Sequence, residues 1–329
     1  MAIIKQHDKR SGITYAYESH SYWDPEKKMT RAKRKLIGRV DPDTGEIVPT
    51  DGRNKKSKML ASDGTDYKKM YEKLLKKYEA QETLIESLKK QTVATNLIMA
   101  TSTENDYIRN LAEEYQIPLY VNDGPGGIAG DWNFAYHCAK TKLVTLAHQD
   151  DRYQPEYAQD MLQKINASKQ PLIYFADYYE LRDGKVVEKS SMLRVKRLLL
   201  LPLKVRAFQG KSFFKRLVLA FGNPVACWSV AYVKDSLPET VFVSEFRSNL
   251  DWEEWEKLSR EKGEFVYSPK PMTCHRVHEG SETSNTIREG NIRAKEDYAM
   301  FQKFWPVWLA KLLMRFYIKG EKLNEVDHK

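Results

Sequence analysis

An apolar run that ends in two carboxylates constrains this chain more than any other feature. The run LVTLA occupies residues 143–147, and HQDD follows directly at residues 148–151. An unbroken run of aliphatic and β-branched residues indicates a buried strand with both faces covered. Because open α/β sheets bind ligands at the carboxyl ends of their strands, we expect the two aspartates at a ligand-binding edge.

The two aspartates have two interpretations. Asp150 and Asp151 supply the hard oxygen ligands that Mg²⁺ or Mn²⁺ prefers, and such an ion would bridge to a diphosphate. Alternatively, Asp150 or Asp151 is the N-cap of a helix that begins near Pro155. The segments on either side of the run favour the ligand-binding interpretation.

Three of those segments carry residues suited to chemistry. Residues 126–135 (GGIAGDWNFA) place glycines before a helical stretch, where backbone N–H groups approach phosphate or sugar oxygens closely; a plain loop is the alternative. Residues 249–255 (NLDWEEW) and 275–281 (HRVHEGS) follow later. Asp251 is a candidate general base or the N-cap of a helix over residues 252–260. His278 is a candidate ligand or a structural histidine.

The order of these four segments resembles that of family 2 glycosyltransferases with the GT-A fold, over about residues 84–310. The resemblance implies an α/β fold with a mainly parallel sheet, a nucleotide-sugar donor (a UDP-sugar first) and a saccharide or lipid-linked acceptor. It implies an inverting, hexosyltransferase-type reaction in surface polysaccharide biosynthesis, with Asp251 as the base. Donor binding is expected from Gly127, Gly130, Asp131, Asn133 and Asp150, and Mn²⁺ or Mg²⁺ binding from Asp150, Asp151 and His278.

The chain differs from this family in two places. Family members begin with a hydrophobic strand that helps to hold the nucleotide base, and no such strand precedes residue 66. Their second strand ends in an aspartate that binds uridine. The corresponding residues 96–103 (NLIMATST) include no acidic residue. The uridine-binding acid is therefore either absent or displaced to Glu104 or Asp106. Both differences lie in the nucleotide pocket.

The amino-terminal part is expected to be a separate unit. We predict a small basic β-rich module at residues 1–56, a linker at 57–65, a helix at 66–92, the GT-A domain at 93–300 and an amphipathic helix with a tail at 301–329. Residues 9–15, 21–24 and 38–46 resemble the amino terminus of bacterial insertion-sequence transposases. That resemblance implies either an idle remnant or an alternative function, in which the chain is a DNA-binding protein with an inactive glycosyltransferase-like part.

Charge and composition indicate the compartment. The net charge is +9, and basic residues concentrate at residues 30–58 and 194–216. The second stretch and residues 301–309 also contain large apolar residues, which suit an anionic membrane surface or, alternatively, packing on the domain. Three cysteines without CxxC spacing fit a reducing compartment. With neither a signal peptide nor a membrane span apparent, we expect a cytoplasmic protein, peripheral to the inner face of the membrane.

Overall fold

The computed structural model describes residues 2–8, 12–24, 29–42, 44–48, 67–182, 184–277 and 292–326. The chain divides into two units. The first comprises Met1–Glu82 with Thr103–Gln116, and the second comprises Thr83–Ser102 with Ile117–Lys329. The predicted domain boundaries at residues 56 and 65 lie outside the described residues.

The first unit contains an antiparallel sheet with the strand order β1-β2-β3-β4. The strands are β1 (Ala2–Asp8), β2 (Ile13–Asp24), β3 (Met29–Val40) and β4 (Ile47–Val48). The β-rich module that the sequence predicts is therefore present, and β1 is a strand that the sequence analysis missed. Ala16 of β2 and Ile37 of β3 are buried, whereas residues 20–23 of β2 and residues 29–34 of β3 are exposed.

Among the described residues, two helices contribute to this unit. Helix α1 (Tyr67–Lys89) runs from the first unit into the second, and α2 (Asp106–Glu114) lies wholly in the first. The Asn105 side chain caps α2 by accepting a hydrogen bond from the Ile108 amide at 3.0 Å. The Tyr107 ring stacks on the Tyr78 ring with centroids 3.8 Å apart. This aromatic contact fixes α2 against α1.

The second unit is built on a mixed sheet with the order β7-β11-β9-β12-β8, and β10 pairs with β9. The strands are β5 (Met99–Thr101), β6 (Leu119–Val121), β7 (Leu143–Thr145), β8 (Arg152–Tyr153), β9 (Pro171–Arg182), β10 (Lys185–Val187), β11 (Ala231–Val233) and β12 (Glu264–Val277), of which β5 and β6 form a separate parallel pair. The helices are α3 (Ile128–Cys138), α4 (Tyr157–Ala167), α5 (Ser191–Leu199), α6 (Ser212–Leu219), α7 (Leu250–Arg260), α8 (Ile292–Gln302) and α9 (Val307–Val326).

The central strand β9 is buried on both of its faces. Ile173 and Phe175 belong to a large hydrophobic cluster on one face, whereas Tyr174 and Ala176 belong to a second cluster on the other. This alternation follows from the two-residue period of a strand. Helices cover both faces, as the unbroken apolar sequence of residues 171–176 predicts. The α/β class is confirmed.

The sheet was expected to be mainly parallel, and the structure shows a mixed sheet whose longest pairing is parallel. In the central sheet β9 and β12 are parallel, but β11 is antiparallel to β7 and to β9, and β8 is antiparallel to β12. The resemblance produced the expectation, but β11 shows that a short antiparallel strand is also buried when strands flank it on both sides. A sheet of this kind is mixed.

Both helix-cap alternatives for the candidate aspartates are also wrong. Helix α4 begins after Glu156, which makes no side-chain cap hydrogen bond. Helix α7 begins after Asn249, so Asp251 lies in its first turn. The carboxylates of Asp150, Asp151 and Asp251 are therefore not used as helix caps.

The carboxy-terminal apolar stretch divides its residues between core and surface. Trp305 packs against the large hydrophobic cluster and donates its indole N–H to the Ala220 carbonyl at 2.6 Å. Trp308 is 68% exposed. None of the described helices is long and apolar enough to cross a membrane.

A buried acid on α7 predicts a pH-dependent stability. Burial, opposed in part by Lys257, raises the pKa of Glu254 to about 7. Since the folded protein holds the proton more tightly than the unfolded chain does, this group favours folding at low pH, and its contribution is lost as the pH rises towards and through 7. We expect Glu254→Gln to increase the free energy of unfolding by about 1–3 kcal/mol at pH 8, and by much less at pH 5.

Urea denaturation of both proteins at pH 5 and pH 8 measures this difference. Glu261→Gln, a change at an exposed residue just beyond the same helix, is the control and should leave the pH dependence unaltered. An equal effect of Glu254→Gln at both pH values would contradict the raised pKa.

Candidate active site

The turn between β7 and β8 carries the two aspartates, and the structure separates their roles. Asp151 is 1% exposed. Its Oδ1 accepts hydrogen bonds from His275 Nδ1 at 2.7 Å and from the Arg276 amide at 3.3 Å, which ties the turn to β12. Its Oδ2 is buried without a hydrogen-bond partner among the described residues. Asp150 is only partly buried and lies nearer the solvent.

An aromatic stack adjoins this carboxylate. The His275 ring lies parallel to the Trp228 indole with centroids 4.0 Å apart, and the Tyr178 ring meets Trp228 edge-on. The backbone at Trp228 is held by the Tyr153 hydroxyl, which donates to the Trp228 carbonyl at 2.5 Å. Trp228 therefore lies beside His275, the hydrogen-bond partner of Asp151.

His148 and Cys227 belong to the same cluster as Asp151, Trp228 and His275, because the His148 ring contacts the Trp228 ring edge-on. Cys227 Sγ lies 3.4 Å from His148 Nε2. Burial lowers the pKa of His148, and the nearby carboxylate of Asp151 opposes this only in part. Burial raises the pKa of the Cys227 thiol, and the charges of Asp251 and Asp151 raise it further. A neutral imidazole next to a protonated thiol results.

Asp251 lies within electrostatic range of the same thiol, since its charge and that of Asp151 both raise the pKa of Cys227. Its Oδ2 accepts a hydrogen bond from Asn223 Nδ2 at 2.8 Å, and its Oδ1 accepts one from the Trp252 amide at 2.7 Å. Burial raises the pKa of Asp251, whereas the Trp252 amide and the Lys196 cation oppose the rise. Two carboxylates from distant parts of the chain therefore border one cluster.

Lys196 is the cation of this cluster, and the sequence analysis missed it. Its ammonium group lies 5.3 Å from the centre of the Tyr178 ring. Burial lowers its pKa, but Tyr178 and then Asp251 more than offset this effect, so the pKa of Lys196 is raised. Lys196 is therefore charged at neutral pH. One lysine among the 54 basic residues carries no sequence signal that would single it out.

The glycine loop precedes α3 as predicted, and its residues already have intramolecular roles. Gly127 adopts a φ of +97°, which side chains rarely allow, directly before the helix. A Cβ on Gly130 would lie 2.1 Å from the Pro125 carbonyl oxygen. The side-chain amide of Asn133 donates from Nδ2 to the Phe242 carbonyl at 2.8 Å, and its Oδ1 accepts from the Phe242 amide at 2.9 Å. Donor binding by these residues stays a prediction.

Asp131 links the loop to the carboxyl ends of β5 and β6. Its Oδ2 accepts a hydrogen bond from the Ser102 hydroxyl at 3.0 Å, and its Oδ1 accepts one from Asn122 Nδ2 at 2.9 Å. Glu104, the first displaced candidate for the missing acid after β5, pairs instead with Arg109 at 2.8 Å. The acidic residue at the end of β5 is therefore supplied by α3.

Among the described residues, no group of three or more His, Cys, Asp or Glu side chains comes together to hold a metal ion. His278 lies outside the described residues. The buried and unpartnered Oδ2 of Asp151 is nevertheless an oxygen that a cation would satisfy, and Asp150 is the next residue in the same turn. Two carboxylates fit a divalent ion whose other ligands are water and substrate phosphate.

Part of the chain matches a known protein family. Residues 77–219 match the family model described as glycosyl transferase family 2. This match supports a glycosyltransferase and confirms the GT-A-type α/β fold predicted for the region. It includes the glycine loop and both aspartates, but ends before Asp251. No match was found among curated protein sequences.

Several solved structures resemble the chain at low identity. They include TarS residues 1–349 from S. aureus, with 13% identity and a TM-score of 0.47 over 72% of this chain and 66% of that one. The same TarS fragment in complex with UDP-GlcNAc matches with 13% identity and a TM-score of 0.44, over 74% and 69%. The mannosyltransferase PcManGT from Pyrobaculum calidifontis, in complex with GDP-Man and Mn²⁺, matches with 12% identity and a TM-score of 0.46, over 72% and 66%. This chain spans just under two thirds of the first of these structures.

The predicted likeness of the amino terminus to transposases is not supported, since the family match begins at residue 77. Those of the residues behind that prediction that the structure describes lie in β2, in β3 and next to these strands. The alternative of a DNA-binding protein depended on this likeness.

The close approach of Gly130 to Pro125 generates a prediction for the loop. We expect Gly130→Ala to destabilise the protein by about 1–3 kcal/mol, because the new Cβ would overlap the Pro125 carbonyl and displace the first turn of α3. Chemical denaturation measures the loss. Gly126→Ala is the matched control, because a Cβ there meets open space. Equal stabilities of the two variants would contradict the contact.

Proposed function

We propose that this chain is an inverting glycosyltransferase that moves a sugar from a nucleotide-sugar donor to a hydroxyl of a saccharide or lipid-linked acceptor. A role in surface polysaccharide biosynthesis would follow from such an acceptor. The observation that carries the proposal is the buried Oδ2 of Asp151, which has no hydrogen-bond partner among the described residues and lies in the part of the chain that matches the family model. Asp251 lies within electrostatic range of the Cys227 thiol, as Asp151 does. A transfer of this kind needs one carboxylate near the leaving diphosphate and another near the attacking hydroxyl.

The proposed general base is Asp251. It would take the proton of the acceptor hydroxyl as that oxygen attacks the anomeric carbon, while the bond from that carbon to the diphosphate oxygen breaks and the diphosphate leaves with the electron pair. Asn223 holds one oxygen of the carboxylate at 2.8 Å, which orients the base. The Lys196 cation lowers the pKa of Asp251 and so favours the deprotonated form that a base requires.

The proposed donor site lies at the turn and the glycine loop. Asp150 and Asp151 would hold Mn²⁺ or Mg²⁺, with His278 as a further ligand, and a bound ion would neutralise charge on the leaving diphosphate. The amide groups at the start of α3 after Gly127 would face phosphate or sugar oxygens. Asp131, together with Gly130 and Asn133, would shape the nucleotide pocket where the usual acid after β5 is absent. A UDP-sugar is the first donor to test, and GDP- and dTDP-sugars are the next.

Asp150→Ala tests the donor site. We expect it to abolish Mn²⁺-dependent binding of the nucleoside diphosphate while the unfolding transition stays unchanged, since Asp150 is only partly buried. Thermal shift with UDP, GDP and dTDP, each with and without Mn²⁺, measures binding through stabilisation of the folded state. Asp235→Ala removes an exposed carboxylate elsewhere and is the control. If Asp150→Ala still bound a nucleoside diphosphate in a metal-dependent way, Asp150 would not be part of the donor site.

Asp251→Asn tests the base. We expect nucleotide binding to stay nearly intact and turnover to fall by roughly 10² or more, as for a lost general base. Release of nucleoside diphosphate in the presence of acceptor measures turnover. Glu261→Gln, at an exposed residue beyond the end of α7, should retain full activity.

The raised pKa of Asp251 adds a second readout. Because a base acts only when it is deprotonated, activity should fall at acidic pH with a midpoint above that of an ordinary aspartate. Full turnover in Asp251→Asn, or an acid limb that this change leaves unaltered, would refute the assignment.

A further inference from the structure

Helix α5 and the short helix that follows it, at residues 201–204, are apolar on two opposite sides. The inner side packs into the second unit, where Leu193, Leu200 and Leu203 are almost fully buried. Leu193 contacts Tyr178 and Ala226, while Leu200 and Leu203 join the large hydrophobic cluster. These contacts use only one side of the segment, whereas an ordinary surface helix is polar on the other.

The outer side carries large apolar residues that face solvent. Val195, Leu198, Leu201 and Val205 recur at steps of three and four residues, and each is between 47% and 64% exposed. Phe213, at the start of α6, is 69% exposed and packs edge-on against Phe214, whose ring stacks on Phe208 at 3.9 Å. Because Phe208 follows Val205 by three residues, the aromatic group continues the same surface.

Charge on this segment has a single sign. No aspartate or glutamate occurs from residue 189 to residue 234. Three of its cations have partners within the fold: Arg197 pairs with Asp177, Arg216 with Glu256, and buried Lys215 donates to two backbone carbonyls. Four others are exposed among the apolar residues: Arg194, Lys204, Arg206 and Lys211.

We propose that this surface docks on an anionic lipid bilayer. The docking surface comprises Arg194, Val195, Leu198, Leu201, Lys204, Val205, Arg206, Lys211 and Phe213. Apolar side chains interspersed with exposed cations suit the boundary between headgroups and acyl chains, where the cations meet anionic headgroups. A polyanion such as nucleic acid would match the charge but would leave the five apolar side chains unpartnered, so the lipid surface is the better fit.

The docking surface shares α5 with the candidate active site. The side chain of Lys196 extends from α5 toward Tyr178 and Asp251, whereas the side chain of its neighbour Val195 faces solvent. Docking would therefore hold the cluster close to the plane of the bilayer. The inference goes beyond the proposed transfer and does not depend on it, because lipid binding is measured without donor, acceptor or turnover.

Vesicle co-sedimentation of the full chain tests the proposal. We expect the protein to sediment with phosphatidylglycerol-containing vesicles at low salt and to be released from them at high salt. It should not sediment with pure phosphatidylcholine vesicles. Arg194→Gln with Arg206→Gln should weaken binding by about 20- to 30-fold, since each cation near an anionic surface contributes roughly fivefold. The double variant Leu198→Ser with Phe213→Ser should weaken vesicle binding at least tenfold, because two apolar side chains that would be buried in the bilayer are replaced by polar ones.

Matched controls remove equivalent groups elsewhere in the second unit. Lys140→Gln with Lys169→Gln removes two exposed cations, and Val243→Ser removes an exposed apolar side chain. These variants should bind vesicles as the unaltered protein does, and all variants should unfold at the same temperature. Failure of the unaltered protein to sediment at low salt would overturn the proposal, as would equal binding by the surface and control variants. Concentration-dependent self-association that Leu198→Ser with Phe213→Ser abolishes, without vesicle binding, would instead assign the surface to a second copy of the chain.

Discussion

The burial of β9 on both faces is the constraint on which the second unit depends. Ile173 and Tyr174, one residue apart, enter different hydrophobic clusters, so the strand cannot shift by one residue without exchanging the two cores. Parallel pairing with β12 extends this restriction along the full strand. The carboxyl halves of β9 and β12 are thereby fixed, and with them Tyr178 and His275. The candidate site is therefore framed by strands, while the turn at Asp150 and the first turn of α7 at Asp251 carry its candidate chemical groups.

Buried charge is the second organising factor. Removing a carboxylate from water disfavours its charged form, so each buried acid of the cluster requires donors or a cation. Asp151 has His275, and Asp251 has Asn223 and Lys196. The exception is Oδ2 of Asp151, which accepts no hydrogen bond from the described residues. Asp151 lies next to Asp150 in the same turn. An uncompensated acceptor at this point is consistent with a site completed by a cation and its substrate, which is the basis of the proposed mechanism.

Local pattern predicted much of the fold because strand and helix periods are short-range properties. The apolar spacing placed α1 and α4, and the unbroken runs placed β7 and β9. Strand direction was not predictable in this way. The antiparallel direction of β11 depends on how the chain returns between β7 and β9, and nothing within its three residues encodes that path. The first strand, β1, was missed because its alternation is weak and its partner lies in β2.

The sequence by itself determined that a strand precedes the two aspartates, that glycines precede the helix upstream of that strand, and that Asp251 lies near the start of a helix. These are properties of adjacent residues. The strand was expected to be central and buried, whereas β7 is a partly buried strand at the edge of the sheet. Only the tertiary structure decided that Asp151 is buried against His275 while Asp150 stays nearer the solvent, and that Lys196 accompanies Asp251. The partners are separated by 124 residues in the first case and by 55 in the second. Burial and electrostatic pairing are set by distance in space, and residues so far apart in the chain become neighbours only when the sheet closes its two cores.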